Sequence, residues 1–298
     1  MTKTVFITIA GKTNAGKSSL LNALIGEKIA SVSSKSQTTR TKITGVVNID
    51  ETQLVFIDTP GLHKAKNRLS EYMLKAVRES ASDIDAVFFV ADCTKKVGDQ
   101  EREMLRSVSA SKTPLVLILN KIDLLKDKTA LAQTIAELSS EFNFDDVIPI
   151  SVLENDGIDL VREKALSLAV EGPHFFPEDA ITDQPEKIIA GEIVREKLLE
   201  LLDDEVPHGI AVVVESMKER EDKDLLDISA VIYCERDSHK GIVIGKGGRM
   251  LKRAATLSRK ELEEFFQIKV NLQCWVKVKE DWRNREAIIR SLGLSDNN

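Results

Sequence analysis

The sequence Gly11-Lys12-Thr13-Asn14-Ala15-Gly16-Lys17-Ser18 decides the fold. It follows an apolar, β-branched run at 5–10, which predicts a buried strand. It precedes residues 19–25, whose apolar side chains fall on one face of a helix. Strand, glycine-rich turn and helix form the context that a G-x-x-x-x-G-K-[ST] phosphate-binding loop requires. A glycine-rich hairpin with a chance lysine is the alternative, and it would not need both flanking elements.

The residue types of this loop suit a phosphate group. Glycines let backbone N–H groups converge on an anion without Cβ clashes, and the following helix N-terminus adds partial positive charge. Lys17 is expected to reach the β- and γ-phosphates, and the Ser18 hydroxyl to hold Mg²⁺. All eight residues are therefore predicted to contact a nucleotide.

Composition narrows the class of protein. The chain has 298 residues, 42% hydrophobic and 30% charged, which is ordinary for a globular protein and enough for two domains. Its three cysteines are widely separated, which suits a reducing compartment and argues against structural zinc. The first apolar run is too short for a signal peptide, and no run approaches a membrane span in length. We expect a cytoplasmic monomer.

Charge is distributed unevenly along the chain. The net charge is −6, yet residues 240–283 hold 11 lysines and arginines against 5 aspartates and glutamates. This local charge of +6 suggests a polyanion-binding site, and a solvated basic face is the alternative.

Residues 1–170 alternate short apolar runs with longer amphipathic stretches. Runs that are apolar on both faces, separated by helices, predict a doubly wound α/β domain with a mostly parallel sheet. In such sheets ligands bind beyond the carboxyl ends of the strands. The predicted strands are 5–10, 45–49, 53–57, 86–91, 115–119 and 147–150, and the predicted helices are 19–25, 68–80, 99–109, 129–141 and 158–170.

Asp58-Thr59-Pro60-Gly61 follows a strand that is expected to lie beside the phosphate loop. Asp58 is placed to hold Mg²⁺ through water, and the Gly61 N–H to donate to a γ-phosphate. An ordinary Asp-x-Pro-Gly turn is the alternative. As the second phosphate-side motif, the tetrapeptide favours a nucleotide hydrolase.

Asn120-Lys121-Ile122-Asp123 predicts recognition of guanine. A guanine edge offers two adjacent donors, N1–H and the 2-amino group, and the Asp123 carboxylate can accept both. Adenine would leave Asp123 unpaired, which costs several kcal/mol, on the order of a hundredfold or more in preference. Asn120 is expected to bridge the base and the phosphate loop, and Lys121 to cover the ring face. This motif argues against a P-loop kinase or ATPase.

These motifs, in this order, resemble the translation-factor-related class of GTPases. Gln37-Thr38-Thr39-Arg40 is similar to the switch I sequence of the TrmE-Era group. The resemblance implies that Thr39, or failing it Thr38, binds Mg²⁺ and the γ-phosphate. Lys17, Thr39 and Gly61 are then the predicted catalytic residues.

Three positions qualify the resemblance. Leu62 follows Gly61 and is predicted to lie in the nucleotide site. It stands where Ras-like enzymes carry a water-orienting glutamine, so we expect slow intrinsic hydrolysis of GTP. Asn14 matches the residue that coordinates an activating K⁺ in some relatives. After the last strand, Ser151 and Val152 could present backbone N–H groups to guanine O6, although the family usually has alanine where this chain has Val152.

A second domain follows a linker at 171–185, which holds three of the chain's prolines. Its predicted order is helix, strand, strand, helix, helix, strand. The predicted domains are thus 1–170, 171–185 as linker and 186–298, the last with a C-terminal helix. The sequence predicts a helix at 186–202 and strands at 210–215, 225–234 and 268–278. A further helix is predicted to follow Arg249.

Ile242-Val243-Ile244-Gly245-Lys246-Gly247-Gly248-Arg249 combines an apolar triplet, a G-x-x-G turn and an immediate helix, which is the KH signature. The tight turn lets the backbone approach a nucleic-acid phosphate chain. An ordinary glycine-rich turn before a helix is the alternative. The predicted RNA contacts are Ile244, Gly245, Lys246, Gly247, Gly248, Arg249 and Lys252.

A GTPase of this group joined to a C-terminal type II KH domain resembles the Era family over essentially the whole chain. The resemblance implies GTP and GDP as ligands, Mg²⁺ and possible K⁺ as cations, and binding to the 3′ region of small-subunit (16S) ribosomal RNA. It also implies a role in small-subunit assembly and loose, peripheral association with the cell membrane.

Two functions remain open on sequence. One is a GTP-hydrolysing switch whose state controls RNA binding, because the γ-phosphate orders the loops that contain Thr39 and Gly61. The other is a constitutive RNA-binding module in which the nucleotide domain is a scaffold, which Leu62 keeps open. RNA affinity in the two nucleotide states separates them.

Overall fold

The computed structural model describes residues 1–33, 35, 40, 42–61, 84–111, 113–203, 206–292 and 294. Contacts divide these residues into two compact units. The first unit holds the described residues of Met1–Ala30, Thr39–Ala65 and Tyr72–Asp183, and the second holds those of Ser31–Thr38 and Gln184–Asn298. The predicted helix at 68–80 lies outside the described residues.

The first unit is built on a mostly parallel sheet in the order β2-β3-β1-β4-β5-β6. Only the edge strand β2 is antiparallel within this order, pairing with β3 through a tight turn. The strands are β1 (Lys3–Gly11), β2 (Ile43–Ile49), β3 (Thr52–Asp58), β4 (Ala86–Asp92), β5 (Leu115–Asn120) and β6 (Asp146–Ile150). The helices are α1 (Lys17–Ile25), α2 (Asp99–Ala110), α3 (Lys128–Glu141) and α4 (Ile158–Ser167). The predicted α/β class is confirmed.

The central strands of the sheet are buried on both faces. Every residue of β5 is buried, and β4 is buried throughout except for its last residue, Asp92. Strands covered on both faces read as continuous apolar runs, and the helices that connect them supply the cover. Asp92, Asn120 and Ile150 end three neighbouring strands, so the residues that follow meet at one edge of the sheet.

Residues 170–183, most of which were expected to form a linker, are fixed to the first unit. Val170–Glu171 forms a short strand, β7, that pairs antiparallel to β1. The preceding helix α4 ends at Ser167, three residues earlier than predicted. The buried Gln53 side chain accepts hydrogen bonds from the N–H groups of Phe175 and Phe176 and donates to the Phe176 carbonyl. This stretch therefore acts as a strap along the sheet edge.

The second unit has a three-stranded sheet in the order β10-β9-β8. The central strand β9 is antiparallel to β8 and parallel to β10. The strands are β8 (Ala211–Glu219), β9 (Leu225–Cys234) and β10 (Lys269–Val278), and the helices are α5 (Glu186–Leu201), α6 (Asp237–Ile244), α7 (Arg249–Phe266) and α8 (Glu286–Ser291). The predicted order of helices and strands is confirmed, and α8 is present where a C-terminal helix was expected. Within the described chain, no helix combines the length and apolarity needed to cross a bilayer.

Residues 31–33 and 35 also pack within the second unit. Ser31 Oγ donates to the Glu192 carbonyl at 3.0 Å, and the Val32 N–H donates to the Glu196 carboxylate at 2.7 Å. Glu196 is 1% exposed and pairs with Lys197, whose ammonium also lies 2.7 Å from Glu261 on α7. A short segment between α1 and β2 thus supplies part of the polar interior of the second unit.

Trp282 fixes the C-terminal segment to the second unit. Its side chain is fully buried, and its Nε1 donates to the Gly209 carbonyl at 2.9 Å. We expect Trp282→Ala to lower the free energy of unfolding by about 3–5 kcal/mol, because it leaves a large cavity. Trp282→Phe keeps most of the ring and should cost about 1–3 kcal/mol through the lost hydrogen bond. Chemical denaturation of the full chain measures both, and a loss below 1 kcal/mol for alanine would contradict the prediction.

Candidate functional site

The phosphate loop turns sharply between β1 and α1. Gly11 and Gly16 have φ angles of +143° and +102°, which favour glycine. A Cβ at Gly11 would lie 2.2 Å from the Val90 carbonyl oxygen, and one at Gly16 would lie 2.1 Å from Nδ2 of Asn120. Gly16 is the N-cap of α1 and no side chain caps the helix there. The partial positive charge of this helix N-terminus favours an anion beside the loop.

Lys17, Ser18 and Asp58 lie together at the start of α1. The Lys17 side chain is buried and its Nζ donates to the Lys12 carbonyl at 3.1 Å. Burial lowers the pKa of Lys17, and the negative charge of Asp58 opposes that shift. A bound phosphate would favour the charged lysine in the same way. Ser18 Oγ donates to Oδ2 of Asp58 at 2.6 Å. Two oxygen atoms that are suitable Mg²⁺ ligands therefore lie next to each other.

Gly61 lies against the phosphate loop. A Cβ at Gly61 would be 2.7 Å from both Cα and N of Thr13, so a side chain here would push the two loops apart. Thr59 Oγ1 donates to the Ile9 carbonyl at 3.0 Å and holds the Asp58-Thr59-Pro60-Gly61 turn to β1. The predicted switch residues Thr38 and Thr39 lie outside the described residues, and so does Leu62, which follows Gly61 in the sequence.

Asn120 joins three motifs through one buried amide. Its Nδ2 donates to the Ala15 carbonyl of the phosphate loop at 2.9 Å. Its Oδ1 accepts from the Lys121 N–H at 2.8 Å and from the Val152 N–H at 3.2 Å. The predicted bridge from Asn120 to the phosphate loop is thus present, and it extends to the loop after β6.

Asp123 and Ser151 are held together, since Ser151 Oγ donates to Oδ1 of Asp123 at 2.6 Å. This contact leaves one carboxylate oxygen and the second lone pair of the other to accept from a base. The N–H groups of Ser151 and Val152 donate to Asp156 and Asn120 within the protein. Either N–H could therefore reach guanine O6 only as a shared hydrogen bond.

Lys121 spans the site between two anchors. Its backbone has a φ of +72°, and its Nζ donates to the Asn14 carbonyl at 2.8 Å and to Oδ2 of Asp92 at 2.7 Å. Burial alone would raise the pKa of Asp92, but hydrogen bonds from Lys121 and Thr94 lower it to about 2. Asp92 was missed on sequence. Its position at the end of β4, beside the strand that leads to Asn120, could have indicated it.

The glycine-rich loop of the second unit leads directly into α7. Gly245, Gly247 and Gly248 have φ angles of +71°, +61° and +74°. A Cβ at Gly245 would lie 2.7 Å from Cβ of Met250, whereas one at Gly247 or Gly248 would meet no atom within 4 Å. The loop is therefore closed toward the core and open on its outer side. Of the other predicted RNA contacts, Ile244 is half-buried, and Lys246, Arg249 and Lys252 are exposed.

Comparison with known proteins agrees with this geometry. A family model described as a 50S ribosome-binding GTPase matches residues 6–121, and a KH domain model matches residues 205–283. GTPase Era of Clostridioides difficile is 47% identical over 296 residues, which covers 99% of this chain and 100% of that protein. The chain belongs to the Era family of GTPases.

Two solved Era structures share the fold of the chain. Each has a TM-score of 0.95 and 35% identity, and covers 99% of this chain and 100% of its own. One is Era of Aquifex aeolicus bound to GDP and AlF₄⁻, and the other is Era in complex with MgGDPNP and nucleotides 1506–1542 of 16S ribosomal RNA. As a member of the Era family, the chain is a GTPase with a C-terminal KH domain.

Proposed function

We propose that this Era-family chain is a GTP-hydrolysing switch that binds the 3′ region of small-subunit ribosomal RNA and assists small-subunit assembly. The observation that carries the proposal is the open outer face of the glycine-rich loop at the N-terminus of α7. A phosphate chain can approach this backbone closely, and the same polypeptide carries the complete set of phosphate and guanine motifs. The Era complex with 16S RNA supports the choice of RNA.

The nucleotide would be held by the residues assembled at the carboxyl edge of the sheet. Lys17 would bind the β- and γ-phosphates, Ser18 and Asp58 would hold Mg²⁺, and the Gly61 N–H would donate to the γ-phosphate. Mg²⁺ would neutralise negative charge on the phosphates when bound. Asp123 would accept the two guanine donors. Gly61 lies so close to Thr13 that no side chain fits between the two phosphate-side loops.

The RNA would be held by the loop from Ile244 to Arg249 and by Lys252. The open faces of Gly247 and Gly248 admit the sugar–phosphate backbone, and Lys246, Arg249 and Lys252 supply positive charge around it. These contacts lie in the basic segment 240–283.

RNA binding in the two nucleotide states tests the proposal. A fragment corresponding to nucleotides 1506–1542 of 16S RNA, a scrambled sequence and a large-subunit fragment would be titrated with GDP or a non-hydrolysable GTP analogue bound, across a salt series. We expect tighter and sequence-selective binding of the 16S fragment with the analogue. Equal affinity in both states would favour the constitutive RNA-binding alternative, and unselective binding with a steep salt slope would reduce the basic segment to a polyanion-attracting face.

We also propose that K⁺ accelerates hydrolysis through Asn14. Asn14 is an exposed residue of the phosphate loop, and a side-chain amide oxygen is a ligand that suits a hard cation. We expect a higher kcat in K⁺ than in Na⁺ at equal ionic strength, and we expect Asn14→Ala to remove the difference. Equal rates in the two salts would contradict this role.

Peripheral membrane association is a further part of the proposal. The local positive charge of residues 240–283 supports attraction to anionic lipids. We expect the full chain to co-float with vesicles rich in anionic lipid at low salt and to dissociate as salt rises. No flotation at low salt would contradict the association.

A further inference from the structure

We propose that Asp92 is a positioning residue for Lys121 and thereby determines how long a guanine nucleotide stays bound. The inference rests on the guanine-nucleotide site proposed above and adds a residue that no motif of that site contains. Its basis is a short ion pair that fixes the end of the lysine side chain expected to lie along the base.

Both oxygens of Asp92 are engaged. Oδ2 accepts from Lys121 Nζ at 2.7 Å, and Lys95 approaches the same oxygen at 3.3 Å. Oδ1 accepts from the N–H of Thr94 at 3.1 Å and from its hydroxyl at 2.5 Å. The Asp92 side chain is 9% exposed. A carboxylate held at both ends and removed from water offers the ammonium a fixed position.

The strand register explains why Asp92 can reach Lys121. Asp92 ends β4 directly opposite Asn120, which ends the parallel strand β5, and the Cys93 N–H donates to the Asn120 carbonyl at 3.0 Å. The next residue, Lys121, takes a left-handed backbone conformation. Its side chain therefore runs from β5 past the end of β4 toward the phosphate loop.

Asp92 supplies the charged half of a two-point attachment. The other half is the neutral carbonyl of Asn14 in the phosphate loop. Without the carboxylate, a single neutral acceptor would remain for the ammonium among these contacts, and the flexible stem would sample several rotamers. A mobile Lys121 would cover the base less of the time, so nucleotide would leave faster while the phosphate contacts stay unchanged.

Dissociation of a fluorescent GDP from the full chain tests the inference. We expect Asp92→Asn to raise the dissociation rate about 10- to 100-fold and to raise KM for GTP, with kcat at saturating GTP within about twofold of the parent chain. Asp146→Asn is the matched control, because Asp146 also pairs with a lysine, Lys164. Asp146 is the first residue of β6, so it lies at the amino ends of the parallel strands, away from the nucleotide site at their carboxyl ends. The control should dissociate at the parent rate.

A double variant distinguishes positioning from a general loss of structure. If Asp92 acts through Lys121, Asp92→Asn should add no further increase to the dissociation rate of Lys121→Ala. Additive increases, or an unchanged rate for Asp92→Asn when Lys121→Ala releases nucleotide faster, would overturn the inference. A parent rate for Lys121→Ala itself would instead overturn the guanine site as proposed. Thermal unfolding of each variant with and without GDP identifies any that fail to fold.

Discussion

Asn120→Ala should weaken GDP binding by about a hundredfold or more. The substitution removes the Ala15, Lys121 and Val152 hydrogen bonds of one buried amide. At about 1 kcal/mol each, the three bonds contribute roughly 3 kcal/mol to ordering the loops around the nucleotide, and without them this ordering has to come out of the binding energy. A loss of 1.4 kcal/mol corresponds to a tenfold change in Kd. Titration calorimetry of the full chain with GDP measures the effect.

Gln53→Ala is the control for Asn120→Ala. Gln53 is also fully buried in the first unit and loses a comparable set of side-chain hydrogen bonds, but its partners are in β2 and the strap. We expect both variants to lower the unfolding temperature and only Asn120→Ala to lower the affinity for GDP. A parent-like Kd for Asn120→Ala would show that the loops hold their positions without it.

The second large effect concerns RNA. Replacing Lys246 and Gly247 together with aspartate should weaken binding of the 16S fragment more than about a hundredfold, because two carboxylates would face the phosphate chain in place of an ammonium and an open backbone. The fold should survive. Lys246 is exposed, a Cβ at Gly247 meets no atom within 4 Å, and aspartate is among the residues that tolerate a φ of +61°.

Lys223→Asp is the control for the glycine loop, since Lys223 is an exposed lysine in the turn between β8 and β9 and its replacement makes two of the three unit-charge changes of the double variant. The RNA affinity of Lys223→Asp should stay within about threefold of the parent. A charge change away from the RNA site acts on the RNA only through long-range electrostatics, which salt screens. GTP hydrolysis without RNA should be unchanged in the double variant. Retained selective RNA binding in the double variant would move the RNA site away from the loop.

Local patterns were sufficient for the sheets and for the motifs. Continuous apolar runs identified the buried strands, and helix periodicity identified α2, α3 and α5 to within one residue at each end. The strap was harder to predict, because a polar, proline-containing stretch gives no periodic signal. Its attachment depends on Gln53, a distant residue whose side chain replaces backbone pairing.

Tertiary geometry explains what the motifs did not contain. The sequence indicated that position 16 needs glycine for its backbone freedom. The structure adds a second reason, because the amide of Asn120, about a hundred residues later, occupies the space that a side chain at position 16 would need. Asp92 matches no motif, and only the parallel register of β4 and β5 brings it to Lys121. Likewise, the use of the Val152 N–H by Asn120 follows from the loop after β6 and cannot be read from the sequence.

The placement of residues 31–33 has a consequence for synthesis on the ribosome. Ser31 and its partner Glu192 are 161 residues apart. At about 5–20 residues per second, roughly 8–30 s separate their emergence. During that interval the segment lacks its native neighbours and is a natural target for proteases. A fragment that starts at Gln184 would likewise lack the Val32 N–H that reaches the buried Glu196. The second unit is therefore complete only when residues 31–33 and the residues from Gln184 onward have both been made.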